Sequence, residues 1–251
     1  MSAPKGRAAA GAGLLSHRVV PVGRDFDAVL LDAGGVLVHP DPQVIAPVLA
    51  YYGAVTDPDA YLRAHYAAMA AKSAEAAPED DWRAFDRAFV EAVGVPEGDR
   101  EEAALVLSRT RHAHIWRAPV PGSAGALREL NRLGVPVGVV SNASGQIEDV
   151  LRRSGVCQVG PGPHAQVLCV VDSEVVGVAK PDPAIFGHGL ACMPGIPRRR
   201  IIYVGDSVTM DVGGATAAGL SPVLFDPFDD AAHLFGGVRV RSLDDVVSWF
   251  A

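Results

Sequence analysis

At 251 residues the chain has room for one large domain or two small ones, and its 49% hydrophobic and 20% charged content fits a soluble globular protein with a substantial core. A formal charge of −7 argues against an extended nucleic-acid partner while leaving room for a local pocket that takes one small phosphate. No run approaches the ~18 consecutive apolar residues that a bilayer span requires, which argues against a membrane partner.

Residues 1–24 hold Lys5, Arg7 and a short, glycine-interrupted AAAGAGLL stretch. This fits an N-terminal extension without fixed structure better than a secretory signal. Cys157, Cys169 and Cys192 are an odd number with no CxxC spacing, as expected of thiols in a reducing, cytoplasmic setting. From residue 28 the text changes. The run AVLLD, Ala28 to Asp32, is apolar throughout, ends in a carboxylate and is followed by Gly34-Gly35. Such a run reads as a strand buried on both faces, as in parallel sheets.

Between residues 41 and 118 the sequence predicts helices only. Val44, Ile45, Val48 and Leu49 share helical spacing over 42–52. Asp57-Pro58-Asp59 starts a second helix over 59–71. Trp82, Phe85, Phe89 and Val93 form one stripe over 81–93, and a fourth helix over 99–114 carries Ala103, Leu107 and Thr110. The three aromatic residues of the third helix read as core rather than pocket. Four helices are too many for one crossover, so the segment reads as an inserted domain, entered and left through loops near Pro40 and Pro119-Val120-Pro121.

Beyond it, apolar runs return at 135–142, 166–173, 200–207 and 221–226, separated by helical patterns at 122–133, 146–153 and 211–219. Strand and helix alternate, which predicts an α/β fold: a doubly wound, Rossmann-like parallel sheet with a second, all-helical domain. The expected division is 25–40 with 119–251 for the sheet core and 41–118 for the helical domain. No internal repeat is visible.

Ligands of open parallel sheets bind beyond the C-terminal strand ends, where strand order reverses. Asp32 ends the first run, Ser141-Asn142 the second and Asp206-Ser207 the fourth, with Asp211 one helical turn on. Lys180 stands in a loop entering a helix, with Pro181 and Pro183 shaping the loop and Asp182 as a cap. Each type has a chemical use. A carboxylate, Asp32, can attack phosphorus. Two anions approach only across a divalent cation, and Mg2+ takes oxygen ligands such as those of Asp32 and Asp206. Ser141, Asn142 and Lys180 can hold the substrate's oxygens, and Lys180 balances charge. Any one of these residues alone is an ordinary cap, turn or surface group. The set in this order is what carries the reading.

These motifs resemble those of the haloacid dehalogenase superfamily of hydrolases over residues 27–225. The first motif is Asp32-Ala33-Gly34-Gly35-Val36-Leu37, the second Val139-Val140-Ser141-Asn142, and the third Lys180-Pro181-Asp182-Pro183. The fourth is Gly205-Asp206-Ser207-Val208-Thr209-Met210-Asp211. The resemblance implies a Mg2+-dependent phosphatase acting on a small phosphorylated metabolite through an aspartyl-phosphate on Asp32. Asp32, Ser141 and Lys180 would be catalytic, Ser141, Asn142 and Lys180 substrate-binding, and Asp32, the Gly34 carbonyl, Asp206 and Asp211 metal-binding. It also implies that the helical segment is a cap that closes over the site.

One departure matters. Family phosphatases carry a general acid/base Asp where this chain has Gly34, a group worth about 10²–10⁴-fold in rate. Slow turnover, a preference for good leaving groups, or a proton donor from elsewhere follows, with His39 and Asp41 as candidates by proximity in sequence. His112, His114, His188 and His233 show no metal-site spacing. Two other readings stay open: a binding or regulatory module that has kept the fold, and a 2-haloacid dehalogenase. The latter needs no metal and is opposed by the Asp206/Asp211 pair.

Overall fold

The computed structural model describes residues 25–251. The extension expected over 1–24 lies outside the described residues. The first strand, β1 (Ala28–Leu31), leads through a tight turn to β2 (Val38–Pro40). Four helices follow: α1 (Pro42–Ala50), α2 (Pro58–Ala74), α3 (Arg83–Ala92) and α4 (Arg100–Thr110). The chain returns through β3 (Trp116–Pro119) to α5 (Ser123–Arg132) and β4 (Val137–Ser141). Then come α6 (Ile147–Arg153), β5 (Cys157–Val159), β6 (Ala165–Val167), β7 (Val170–Asp172), α7 (Ser173–Val176) and α8 (Ala184–Ala191). The C-terminal part holds β8 (Ile201–Gly205), α9 (Gly214–Ala217), β9 (Ser221–Phe225), β10 (Arg239–Val240) and α10 (Leu243–Val247).

The main sheet is parallel throughout, in the order β10-β9-β8-β1-β4-β7. Strand order reverses at β1, with β8 on one side and β4 on the other, so β1 ends at the switch point. Its residues alternate between faces. Val29 and Leu31 join one apolar cluster with Leu127, Leu130, Val139 and Val204, while Ala28 and Leu30 join a second with Phe186, Ile201 and Tyr203. Burial on both faces is why these strands read as unbroken apolar runs. Helices α1 to α4 bury Ile45, Leu49, Tyr61, Phe85, Phe89 and Leu107 against one another in a cluster of their own.

Three sequence expectations shift. The loops expected at Pro40 and Pro119 pair as an antiparallel ribbon, β2 with β3, matching Val38 to Pro119 and His39 to Ala118. The single strand expected over 166–173 divides: β6 pairs with β5 in a separate two-stranded sheet, and β7 joins the main sheet. The helix expected over 211–219 begins earlier, as a π-helical turn at Val208–Gly213 that runs into α9. No helix among the described residues is long and apolar enough to cross a membrane.

Candidate active site

The C-terminal ends of β1, β4 and β8 open into a cavity of about 330 Å3, lined from the sheet side by Asp32, Ser141, Lys180 and Asp206 and from the helical side by Lys72, Glu79, Trp82 and Trp116. Backbone geometry aims these groups. The Asp32 N–H continues the β1–β8 ladder by donating to the Val204 carbonyl at 2.8 Å, and the Asp32 carboxylate accepts from the Ala33 N–H at 2.7 Å. Gly35 follows with φ +69°, and a Cβ there would stand 1.8 Å from Asp206 Oδ2. No other residue type could let the first and fourth motifs approach so closely.

Lys180 is the hub of the floor. Its ammonium lies 2.8 Å from Asp32 Oδ2 and 2.7 Å from Asp211 Oδ1, and donates to the Tyr203 hydroxyl at 2.9 Å. That hydroxyl shares its own proton between the Val140 carbonyl (2.9 Å) and Asp211 Oδ1 (3.0 Å). Asp211 Oδ2 accepts from the Ser207 N–H at 2.9 Å. Both oxygens of Asp211 are thus engaged in holding Lys180 and the turn after β8. Asn142 lines the cavity, but its amide is used on the main chain: it donates to the Lys180 carbonyl at 3.0 Å and accepts from the Lys180 N–H at 2.7 Å. This pair of bonds fixes the lysine's loop to the end of β4.

The electrostatics show what the floor lacks. Three buried carboxylates, Asp32, Asp206 and Asp211, bring oxygens within 4.8 Å of one another around one ammonium. Burial pushes the Asp32 carboxyl up to about 7, with Lys180 pulling it down and Asp211 and Asp206 pushing it further up. Burial also drives Asp206 well above the ordinary carboxylate range, and Asp211 adds to that push. Burial alone would pull the Lys180 ammonium down, yet Asp211 and Asp32 outweigh it and hold it above the usual lysine value. Fully ionised, the cluster carries a surplus of two negative charges in a buried site. A divalent cation on hard oxygen donors removes that surplus, so the residues present fit one.

The helical side adds residues that motif reading missed. His65 of α2 places Nε2 2.8 Å from Asp206 Oδ2, with both side chains buried. Its ring packs edge-on to Tyr66, Phe85 and Trp116, and its Nδ1 has no hydrogen-bond partner. Burial lowers its pKa to about 3, so a neutral ring meets the Asp206 carboxyl through Nε2. Tyr66 donates to the Gly35 carbonyl at 2.7 Å, and Ser73 Oγ accepts from the Val208 N–H at 3.2 Å. A signal existed: His65 and Lys72 fall on the same buried stripe of α2 as Tyr61, Ala64, Ala68 and Met69. Polar residues on an apolar stripe mark a contact beyond the helix's own core. Phe85 and Phe89 are core residues as expected, and Trp82 packs against the same core while also lining the cavity.

Neither of the two proton donors suggested by proximity reaches the cavity. His39 is buried in the β2–β3 ribbon, burial lowers its pKa to about 4, and it does not line the cavity. Asp41 caps α1 by accepting from the Gln43 N–H at 2.9 Å, and it pairs with Arg117 at 2.8 Å. Adjacency in sequence misleads here because β2 carries both residues away from the strand ends.

The haloacid dehalogenase-like hydrolase family matches residues 26–219. The chain belongs to that family. Within it, the chain is 32% identical over 144 residues to a phosphoserine phosphatase of Thermus thermophilus, covering 57% of this chain and 53% of that one. It is 31% identical over 143 residues to a glyceraldehyde 3-phosphate phosphatase of Methanopyrus kandleri, covering 56% and 57%. The chain spans about half the length of the curated relatives it matches. Among solved structures, the YfnB protein of Bacillus subtilis in a magnesium-bound form shares the fold, with TM-score 0.55, 17% identity and coverage of 90% and 98%. The chain shares that family's α/β Rossmann-like core.

Proposed function

We propose that this hydrolase is a Mg2+-dependent phosphatase of a small phosphorylated metabolite, with Asp32 as nucleophile and residues 41–118 as the cap over its site. The observation that carries the reading is the floor itself: a buried carboxylate at the switch point, held by Lys180 and facing two further carboxylates. A bound Mg2+, held by Asp32, Asp206 and the Gly34 carbonyl with Asp211 behind them, would neutralise the surplus charge and let a phosphate dianion approach. Asp32 attacks phosphorus, Ser141 and Lys180 hold the non-transferred oxygens, and Tyr203 and Asp211 keep Lys180 charged and in place. Support also comes from the relatives named as phosphatases of small metabolites. A cavity of about 330 Å3 suits such a substrate. The chemistry requires no exported or membrane-bound setting, and the thiols are free, as in a cytoplasmic enzyme.

A dehalogenase needs no metal to offset the charge surplus of three carboxylates around one lysine, so that surplus weighs against this reading. The test is a panel of phosphate monoesters assayed for phosphate release in Mg2+ and in EDTA, beside Asp32→Asn. Turnover that needs Mg2+ and falls at least about 10⁴-fold in Asp32→Asn is expected. Turnover surviving either treatment would overturn the proposal. Mg2+ binding without turnover on any ester would point to a binding module.

A further inference from the structure

The phosphatase reading, on which this inference rests, leaves one proton without a carrier. The leaving alcohol oxygen must gain a proton as its bond to phosphorus breaks, and the attacking water must later lose one. Gly34 has no side chain for either task, and the Trp116 ring lies 3.4 Å from where its Cβ would stand. His39 and Asp41 do not line the cavity.

Most titratable groups of the cavity wall already have work. Asp206 and Asp211 belong to the charge cluster of the floor. Arg111 is held by Asp86 through two bonds of 3.0 Å. Lys72 is saturated: its ammonium donates to the carbonyls of Pro78 (3.0 Å), Glu79 (2.9 Å) and Asp81 (2.8 Å) and stacks on the Trp82 ring at 4.1 Å. His112 is solvent-exposed.

Glu79 differs from all of these. It sits in the loop between α2 and α3, half-buried, in the wall of the same cavity as Asp32 and Lys180. The three carbonyl bonds from Lys72 brace that loop on both sides of Glu79, so the buried lysine fixes the main chain from which the carboxyl projects. Burial raises the Glu79 carboxyl above its ordinary range. Lys180, Lys72 and the Asn142 amide pull it back, and Asp211 adds to the rise. The carboxyl therefore senses the floor groups directly and can hold a proton closer to neutrality than a free glutamate does.

We propose that the Glu79 carboxyl is the proton-transfer group of this site, supplied by the inserted segment in place of the acid missing at Gly34. As an Asp32 oxygen bonds to phosphorus, the P–O bond to the alcohol breaks and the Glu79 proton passes to the departing oxygen. In the second half, water attacks the phosphoryl-aspartate and gives its proton to the Glu79 carboxylate. The acyl-phosphate P–O bond breaks, releasing inorganic phosphate and restoring both carboxyls. The substrates that need this group are monoesters of ordinary alcohols, whose alkoxides are poor leaving groups. Nitrophenyl esters do not need it for the first half.

The experiment compares wild-type protein and Glu79→Gln, in Mg2+, on a primary alkyl phosphate and on 4-nitrophenyl phosphate, by steady-state and stopped-flow assays. Glu79→Gln should lose about 10²–10⁴-fold in kcat on the alkyl ester. On the nitrophenyl ester it should release close to one equivalent of nitrophenolate per site in a fast burst, then turn over slowly because hydrolysis of the intermediate is impaired. A merely structural loop residue would depress both esters alike without a burst, and that result, or unchanged kinetics, overturns the assignment. A wild-type protein inert toward both esters would instead remove the phosphatase reading on which the assignment stands.

Discussion

The sheet rim and the inserted helices both put polar groups into one cavity, but they hold them in different ways. At the rim, Asp32, Ser141 and Asp206 stand at or just beyond strand ends, and main-chain ladders fix where each points. Lys180 and Tyr203 then tie Asp32 to Asp211, with the surplus of negative charge left over. In the insertion, His65, Tyr66, Lys72 and Ser73 all project from α2, and each reaches a partner far away in sequence or, for Lys72, a loop carbonyl. The rim's carboxylates and lysine are brought together by the sheet's own strand ends and loops. The insertion's contribution exists only while α2 is seated.

The largest expected effect tests the rim. Lys180→Met leaves Asp32 and Asp211 buried without their counter-charge, which should cost about 3–5 kcal/mol of stability. Chemical denaturation in EDTA reads this directly, and a loss below about 1 kcal/mol would show that the cluster is not held together by its lysine.

A second test varies pH. The folded-state pKa of Asp32, about 7, lies above the value of a free aspartate, so the folded protein binds more protons than the unfolded chain between about pH 4 and 7. Stability from this group is therefore present on the acid side of that window and lost as pH rises through it. A divalent cation takes the place of the proton, so the rise in melting temperature on adding Mg2+ should grow between pH 5 and 7.5. A cation effect that is flat or shrinks across this range would contradict the charge-surplus account.

The smallest expected effect measures what the insertion lends to the rim. His65→Ala removes the ring that meets Asp206 and should weaken Mg2+ binding about 10–100-fold by isothermal titration. If affinity is unchanged, the rim binds its cation without help from α2, and the contrast drawn above becomes complete independence.

The same contrast explains what could be read from the amino acids. Strands buried on both faces announce themselves as apolar runs, and the polar residues that end them mark the rim, so Asp32, Ser141 and Asp206 are legible there, while Lys180 is legible only through its Pro-flanked loop. The split of the 166–173 run was not, because nothing local at Leu168-Cys169 distinguishes a strand that changes sheets from one that continues. β10, two residues long, offers no period to detect. His65 and Glu79 escaped for a deeper reason. Helical spacing says which residues share a face, but only tertiary packing says what lies opposite that face.

The β2–β3 ribbon has a consequence for the chain's history and its redesign. Pairing Val38 with Pro119 brings the two ends of the helical segment about one strand spacing, roughly 5 Å, apart. To the sheet, those helices are a loop whose closure geometry does not depend on what the loop contains. Ends this close let segments of other lengths close the same ribbon, but a grafted cassette must also replace Leu62 and Tyr66 of α2, which pack into the sheet's own apolar cluster. Because Glu79 travels with the cassette and Asp32 stays with the sheet, such a graft would move nucleophile and proton carrier between proteins as separate parts.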